Sequence, residues 1–405
     1  MELLEKNVMK INNNDDELHI SATVSDKNPD KIIDMSLYNY LLECKNKIGL
    51  VGSIKKWDYY KKLSNPYELI NKYIKSKNLN LGIARYIPIS RAYYKFWEIL
   101  LEYKLINNSS QRLVYGALAE GPGGFIEAFS FYRRKYGGYS NDTINCITLK
   151  SSSNDIPNWE IIRGCKYNIS WGQDGTGNLY KVENIIHYSK QFKNKADLVS
   201  ADGGFDFSDN YYNVEINAQR LIFCEIVTGL MILKIGGHMV IKMFDSFNKS
   251  SVDILYILNV YFGELYLVKP CTSRPANNEK YVVCKYFKGI SDTQTEDLLN
   301  IVQLMGRNTE SDHIERFISN KIPKDFINVV NAYNIQSMKS QIYYILKSLL
   351  YMETKLTNQD INDIIKYQSI YSLLWCQKYD VNINNKSRFL NNEVHYYFMP
   401  YFKKT

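Results

Sequence analysis

The stretch LVYGALAEGPGGFIEAFSFY, residues 113–132, runs from an apolar strand pattern through a glycine-rich turn into an amphipathic helix pattern. The turn contains Gly121, Gly123 and Gly124, and the helix is predicted to begin at Phe125. In an open α/β sheet, ligands bind beyond the carboxyl ends of the strands, frequently over the first strand-to-helix turn. The stretch therefore predicts a ligand site at this turn.

The region around this stretch predicts an α/β fold with a Rossmann-like sheet. Helical patterns separate many of its strand patterns, and one of them, residues 214–234, is expected to end at Gly236-Gly237 as a C-cap. Such alternation is typical of a parallel sheet covered on both faces. The loop CTSRPANNE leaves no room for a crossover helix, so the last two strands are expected to pair antiparallel or to lie apart. The seven predicted strands are RLVYGAL, NCITLK, YNISWG, ADLVSAD, HMVIKMF, ELYLVKP and KYVVCKYF.

Three zones are predicted along the 405 residues. Residues 1–80 are polar and mostly helical in period, and we interpret them as an accessory region. Residues 81–290 carry the predicted sheet, and residues 291–405 show successive amphipathic helix patterns without strands. The prediction is an α/β domain with helical additions at both ends.

Composition points to a soluble intracellular protein without a metal site. The seven cysteines form no C-x-x-C pair and the five histidines show no metal-ligand spacing, which argues against a disulfide framework or a zinc site. No signal-peptide pattern begins the chain, and Glu225, Lys234 and a Gly-Gly pair interrupt its most apolar region, so no membrane span is predicted. The net charge of +8 suits a polyanionic partner without requiring one.

The glycine turn favours a ligand without phosphate. Dinucleotide binding prefers G-x-G-x-x-G and an acid after the second strand, whereas this chain has G-P-G-G and a second strand that ends in Lys150. A compact ligand with amino-acid and nucleoside parts fits this pattern better. Taken alone, the G-P-G-G motif has an alternative interpretation as a glycine-rich turn that binds no ligand.

Charged residues interrupt apolar strands near the same edge of the sheet. Lys242 lies within HMVIKMF, Asp202 ends LVSAD, and Glu279 begins the last strand. Lysine is rarely buried without a partner. If the last strand is antiparallel, all three side chains meet at the carboxyl rim of the parallel strands.

A fourth charged residue comes from the predicted helix SRAYYKFWEILLEY, for which Ser90 is the expected N-cap. Its polar face carries Arg91, Lys95, Glu98 and Glu102, and a solvated, ion-paired surface is the simpler interpretation of that face alone. Each of the other three also has an ordinary structural explanation, but convergence near the glycine turn favours a catalytic group. Two lysines and two carboxylates suit deprotonation of a weakly acidic hydroxyl, with a buried lysine as general base or as stabiliser of an alkoxide.

Taken together, these motifs resemble the FtsJ/RrmJ-like ribose 2′-O-methyltransferases, in particular the branch that acts on the first transcribed nucleotides of capped mRNA. The resemblance covers about residues 88–288 and implies a Rossmann-like fold that uses S-adenosylmethionine. The motifs that carry it are SRAYYKFWEI, EGPGGF, ITLK, ADGGF, IKMFD and TSRPANNEKYVVCK.

The resemblance assigns roles to particular residues of this chain. It implies a catalytic tetrad in which Lys242 is the base or alkoxide stabiliser, Asp202 orients it, and Lys95 and Glu279 position the ribose. Asn178 stands where family members often place an aspartate toward the adenine, and its side-chain oxygen can still accept a hydrogen bond. The expected cofactor-binding residues are Glu120, Gly121, Pro122, Gly123, Gly124, Phe125, Asn178 and Asp202, and the expected substrate contacts are Arg91, Arg274 and Asn277.

Capped RNA is the expected substrate, and the capping or transcription machinery is an expected partner. The segment SIKKWDYYKK, residues 53–62, interleaves lysines with Trp57, Tyr59 and Tyr60 and is a candidate RNA contact or a solvated helix. Two alternative functions stay open: an rRNA or tRNA ribose methyltransferase, and an inactive RNA-binding structural subunit. The Lys-, Asn-, Ile- and Tyr-rich composition suggests an AT-rich genome and a viral source, which would place the protein in the host cytoplasm or virion; otherwise nucleus or cytoplasm is expected.

Overall fold

The computed structural model describes residues 8–11, 17–106, 111–137, 141–150, 159, 162, 164–192, 196–204, 213–307 and 312–390. The strands in these ranges are β1 Val8–Ile11, β2 Ile20–Ser25, β3 Tyr73–Ile74, β4 Leu79–Asn80, β5 Val114–Leu118, β6 Thr143–Ile147, β7 Asn168–Ser170, β8 Ala196–Ala201, β9 Leu233–Met243, β10 Phe262–Val268, β11 Lys280–Phe287 and β12 His313–Ile318. The α-helices are α1 Met35–Gly49, α2 Ile54–Ser64, α3 Ala92–Tyr103, α4 Gly124–Tyr136, α5 Val182–Ser189, α6 Val214–Ile232, α7 Lys249–Tyr261, α8 Asp292–Met305, α9 Lys324–Glu353 and α10 Asn358–Lys378.

The central sheet confirms the predicted Rossmann-like α/β fold. Its strand order is β1-β10-β11-β9-β8-β5-β6-β7. The five strands β5 to β9 are adjacent in this order and all run parallel to one another. Strand β11 lies between β9 and β10 and is antiparallel to both. All seven predicted strands are present. An eighth, β1, adds antiparallel to β10 at the edge and was not predicted.

Helices cover both faces of the sheet, as the alternating pattern predicts. On one face, α6, α7 and α8 pack in a core that includes Phe223, Leu255 and Val302. On the other, α3 and α4 pack with α10 in a core that includes Trp97 and Trp375. Burial of these large apolar side chains supplies most of the driving force for folding.

The two flanking zones pack against each other as well as against the sheet. Helices α1 and α2 contact α9 through a small cluster that includes Leu41, Trp57 and Ile345. The start of the chain and its C-terminal zone also share a small antiparallel sheet of β2 and β12. The C-terminal zone was predicted to lack strands, and β12 corrects that prediction, because this six-residue strand is stabilised by a partner about 290 positions away in sequence.

Two local predictions about helix ends were wrong. Helix α6 ends at Ile232, and Gly236-Gly237 lies inside β9, where the pairing with β8 shifts register and Gly236 has a φ of +80°. The glycines therefore serve a bulge and not a C-cap. Helix α3 begins at Ala92 with Arg91 at the N-cap position, and Ser90 makes no capping hydrogen bond. Within the ranges given above, the structure contains no helix with the length and apolarity to cross a membrane.

Candidate active site

The glycine turn brings β5, α4 and α3 close together at the carboxyl rim of the sheet. Gly123 has a φ of +110°, a region that L side chains rarely adopt, and a Cβ there would lie 3.0 Å from Ile162 Cδ1. A Cβ on Gly124 would lie 2.3 Å from Ser90 Oγ, which is buried without a hydrogen-bond partner. Glycine at these positions therefore allows close approach of backbone to its surroundings.

Two residues predicted to touch a cofactor have side chains turned into the core. The ring of Phe125 stacks on Phe96 at 4.3 Å between centroids, so only its backbone faces the turn. Glu120 is buried beneath the turn, where its carboxyl group accepts hydrogen bonds from Tyr115 and Ser200. Burial raises the pKa of Glu120 well above its usual value, and nearby Asp202 acts in the same direction. Glu120 thus supports the turn from below.

The loops after β6 and β7 contact each other at the carboxyl edge of the sheet. The Lys150 amide donates to Thr176 O at 2.7 Å, and the Lys150 ammonium lies 5.7 Å from the Trp171 ring centre. Asn178 Oδ1 accepts from the Tyr180 amide at 2.9 Å. An amide oxygen has a second lone pair, so Asn178 retains acceptor capacity for a ligand.

The four predicted catalytic residues come together at the rim. Asp202 follows β8, Lys242 lies near the end of β9, Glu279 precedes antiparallel β11, and Lys95 extends from α3. The Lys95 ammonium lies 2.7 Å from Glu279 Oε1. The Lys242 ammonium lies 3.6 Å from Asp202 Oδ1 and donates to the Asp202 carbonyl oxygen at 3.3 Å. The side chains are only 11% to 16% exposed.

The charges of this cluster stabilise one another. Burial acts to raise the pKa of Glu279, but the ammonium groups of Lys95 and Lys242 outweigh it and hold that pKa well below its usual range. Burial acts to lower the pKa of Lys242, but Asp202, Glu279 and Glu225 outweigh it, so that its pKa is raised. In the protein alone, Lys242 is therefore an ammonium ion at neutral pH.

Three residues that were not predicted to belong to the site support the cluster. The Tyr281 hydroxyl donates to Asp202 Oδ1 at 2.8 Å, and Tyr281 pairs with Lys242 in the β9–β11 register. The buried Glu225 accepts from the Gly203 amide at 3.1 Å. Lys269 donates to the Glu279 carbonyl oxygen at 2.6 Å. Tyr281 could have been found, because an antiparallel β11 places it opposite Lys242.

Much of the polar face of α3 contacts neighbouring elements of the protein, and only its last residue, Glu102, is exposed. Glu98 is 1% exposed and accepts from the Cys271 amide at 3.0 Å and from Trp375 Nε1 at 2.9 Å. Glu102 accepts from the Tyr379 hydroxyl at 2.7 Å. The loop that leads to Glu279 is thus held against the helix that carries Lys95.

Two of the three predicted substrate contacts, Arg91 and Arg274, line a groove next to α3, and Asn277 lies outside it. Arg91 and Arg274 both contact Glu68, and Asn277 accepts from Lys269 at 2.8 Å through its side-chain oxygen. In the predicted RNA patch, Tyr59 is 51% exposed, but Trp57 is 7% exposed and belongs to the α1–α9 core. Trp57 is therefore unavailable for stacking on a base, and this part of the prediction was wrong.

Comparison with known proteins gives a family match over most of the central domain. Residues 88–287 match the family FtsJ-like methyltransferase. Three similar proteins are cap-specific mRNA (nucleoside-2'-O-)-methyltransferases by name. Enzyme 2 of Pongo abelii is 28% identical, and the match covers 63% of this chain and 35% of that protein. Enzyme 1 of Mus musculus is 31% identical and enzyme 1 of Homo sapiens is 30% identical, and each match covers 68% of this chain and 34% of the relative. The chain thus spans about a third of the length of these relatives.

Proposed function

We propose that the protein transfers a methyl group from S-adenosylmethionine to the ribose 2′-hydroxyl of a cap-proximal nucleotide of mRNA, and the match of residues 88–287 to the FtsJ-like methyltransferase family supports this proposal. The observation that carries this proposal is the convergence of Lys95, Asp202, Lys242 and Glu279 beside the glycine turn. The names of the similar proteins support capped mRNA as the substrate.

The residues around the turn fit the methyl donor. Residues 121–124 present backbone without side chains at Gly121, Gly123 and Gly124, which suits the compact amino-acid end of the donor. Asn178 would accept from the adenine amino group. Asp202 brings a partly exposed carboxylate to the same edge. When bound, S-adenosylmethionine supplies an electrophilic methyl group on a positively charged sulfur.

Lys242 would act on the ribose hydroxyl. As an ammonium ion held by Asp202, it is placed to donate a hydrogen bond to the hydroxyl oxygen and to stabilise negative charge that develops there. It can accept the hydroxyl proton only after losing its own, and additional positive charge at the rim lowers its pKa in that direction. A group in this role contributes roughly 10²- to 10⁴-fold in rate.

Lys95 and Glu279 would position the ribose. Their ion pair of 2.7 Å spans the space between α3 and β11, and Ser273 Oγ donates to Glu279 Oε1 at 2.7 Å. The pair is therefore fixed before substrate arrives, and orientation of reactants is a large part of enzymatic rate enhancement. Arg91 and Arg274 would contact phosphates, while Asn277 would shape the loop through its bond to Lys269.

The test is transfer of labelled methyl from S-adenosylmethionine to three short RNAs that differ only at the 5′ end. One carries a 7-methylguanosine cap, one an unmethylated cap and one a triphosphate. We expect label in the capped RNAs, and none with Lys242→Ala. Equal label on all three would favour an rRNA or tRNA ribose methyltransferase, and bound RNA without label would favour a structural subunit.

A further inference from the structure

A groove of about 550 Å³ opens between the flanking zones and the active site. Helix α2, residues 71–75, the segment before α3, Arg274 and helix α10 line it. The groove adjoins elements that carry the catalytic cluster, because Arg91 directly precedes α3, which carries Lys95, and Arg274 lies five residues before Glu279. The first and last zones of the chain therefore both contribute side chains to the lining of the groove.

The groove is strongly cationic. Its lining contains five cationic side chains and, among the described residues, a single carboxylate, that of Glu68. Tyr59 and Ile87, both more than a third exposed, add surface on which a base can pack. Such a groove favours a flexible polyanion with aromatic groups. The cationic side chains are Lys62, Lys72, Lys75, Arg91 and Arg274.

The carboxylate of Glu68 is surrounded by donors. The Arg274 guanidinium contacts both oxygens, with Nε 3.0 Å from Oε2 and Nη2 2.8 Å from Oε1. Arg91 Nη1 lies 3.6 Å from Oε1, and Asn65 Nδ2 donates to Oε2 at 2.7 Å. Burial acts to raise the pKa of Glu68, but the two arginines outweigh it and lower that pKa, so the group stays ionised.

The same donor arrangement suits a phosphate. The planar guanidinium binds carboxylate and phosphate oxygens with equivalent two-pronged geometry. Arg91 and Arg274 each face the groove with a side chain about one quarter exposed, so a ligand can reach them. The carboxylate lies where an incoming phosphate would make its strongest contacts.

We propose that this groove is a phosphate-binding site for the 5′ end of the RNA, and that Glu68 occupies it until a substrate phosphate displaces the carboxylate from Arg91 and Arg274. The inference rests on the proposed function, since it takes RNA as the substrate. Glu68 then limits binding to ligands that compete with its carboxylate for the two arginines. A ligand that offers several phosphates to the arginines and the three lysines competes well with the carboxylate, whereas a single phosphate competes poorly.

The test is equilibrium binding of short fluorescent RNAs without methyl donor, over a range of salt concentrations. Capped, 5′-triphosphate and 5′-hydroxyl RNAs of one sequence show whether the phosphates are those of the 5′ end or of the chain. We expect Glu68→Gln to bind capped and triphosphate RNA several-fold more tightly than the wild type. Arg274→Gln should bind more weakly and lower the salt slope by about 0.7 for one lost phosphate contact.

Glu264→Gln is the matched control, because it removes the same charge from β10, where Glu264 forms an ion pair with Lys10 of β1. Its binding should equal that of the wild type, and thermal unfolding confirms that each variant is folded. Equal tightening with all three RNAs, the 5′-hydroxyl RNA included, would overturn the assignment to the 5′ end, because the phosphates bound would then be internal ones. Unchanged or weaker binding by a folded Glu68→Gln would overturn the proposal.

This outcome is separable from that of the proposed function. If no RNA is methylated but Glu68→Gln binds RNA more tightly, the phosphate site stands and the proposed reaction fails. If capped RNA is methylated and Glu68→Gln leaves its binding unchanged, the reaction stands and the role of Glu68 fails.

Discussion

The Lys242 ammonium lies 3.6 Å from Asp202 Oδ1 at the carboxyl ends of β9 and β8. At the other ends of the same two strands, Lys234 forms an ion pair with Asp197. The chain thus carries two lysine–aspartate pairs on one pair of parallel strands, and only the first lies beside the glycine turn. This arrangement offers an internal control for the proposed catalytic lysine.

We expect Lys242→Met to lower the rate of methyl transfer by at least about 100-fold, because it removes the group proposed to act on the hydroxyl. Lys234→Met should leave the rate within about twofold, since an exposed ion pair contributes little. Single-turnover methyl transfer measures both rates. Equal losses in the two variants would contradict a special role for Lys242.

Tyr281→Phe tests the support of Asp202. It removes the 2.8 Å hydrogen bond to Asp202 Oδ1 and leaves the ring in the core. We expect kcat to fall about tenfold, which corresponds to 1.4 kcal/mol in the barrier, with little change in KM for the donor. Tyr266→Phe removes a comparable bond to Glu264 on β10 and should not change kcat. A wild-type kcat for Tyr281→Phe would show that the bond has no role in turnover.

Gly123→Ala tests the glycine turn. Gly123 and Gly137 stand at the two ends of α4, with φ angles of +110° and +99°. Alanine at either position should cost about 1–3 kcal/mol in backbone strain. Only Gly123→Ala should also weaken binding of the methyl donor, by at least about tenfold. Calorimetric titration measures this affinity at a temperature at which both variants are folded. If both variants bind the donor as the wild type does, the turn is not its site.

Glu225→Gln tests the buried carboxyl beneath Asp202. Burial raises the pKa of Glu225 from its usual 4.5 to about 8, with Lys242 acting to lower it and Asp202 to raise it further. The folded state therefore binds more protons than the unfolded state between these values, and wild-type stability falls as pH rises through this window. Glutamine cannot titrate.

The stability of Glu225→Gln relative to the wild type should therefore increase from about pH 5 to about pH 8, by up to about 1.4 kcal/mol per pH unit. Urea unfolding at several pH values measures the difference. Parallel pH profiles for the two proteins would mean that Glu225 titrates normally.

The sheet and most of the catalytic cluster could be predicted because their signals are local. An apolar run of six or seven residues indicates a buried strand, and one charged residue within it, such as Lys242 or Asp202, stands out. The short loop before Glu279 excluded a crossover helix, and an antiparallel last strand, one of the two arrangements left open, places that carboxylate at the same edge.

The remaining features depend on partners distant in sequence. Strand β1 has four residues and forms because the edge of β10 needs a partner. Gly236-Gly237 follows a helical pattern and was predicted to be a C-cap, but the two glycines form a bulge in β9. Glu68 has no motif around it, and its importance arises only because folding brings it to Arg274, 206 positions away. Trp57 is buried because α2 turns that face toward α9.

We propose that the Lys95–Asp202–Lys242–Glu279 cluster directs methylation of a ribose 2′-hydroxyl next to the cap. The most direct test is methyl transfer to capped RNAs with 2′-deoxyribose at the first nucleotide, the second nucleotide or both. We expect one of the single replacements and the double replacement to abolish labelling, and the other single replacement to leave labelling intact. Full labelling of the doubly replaced RNA would contradict the proposed reaction, because the methyl group would then enter a base, the cap or a distant ribose.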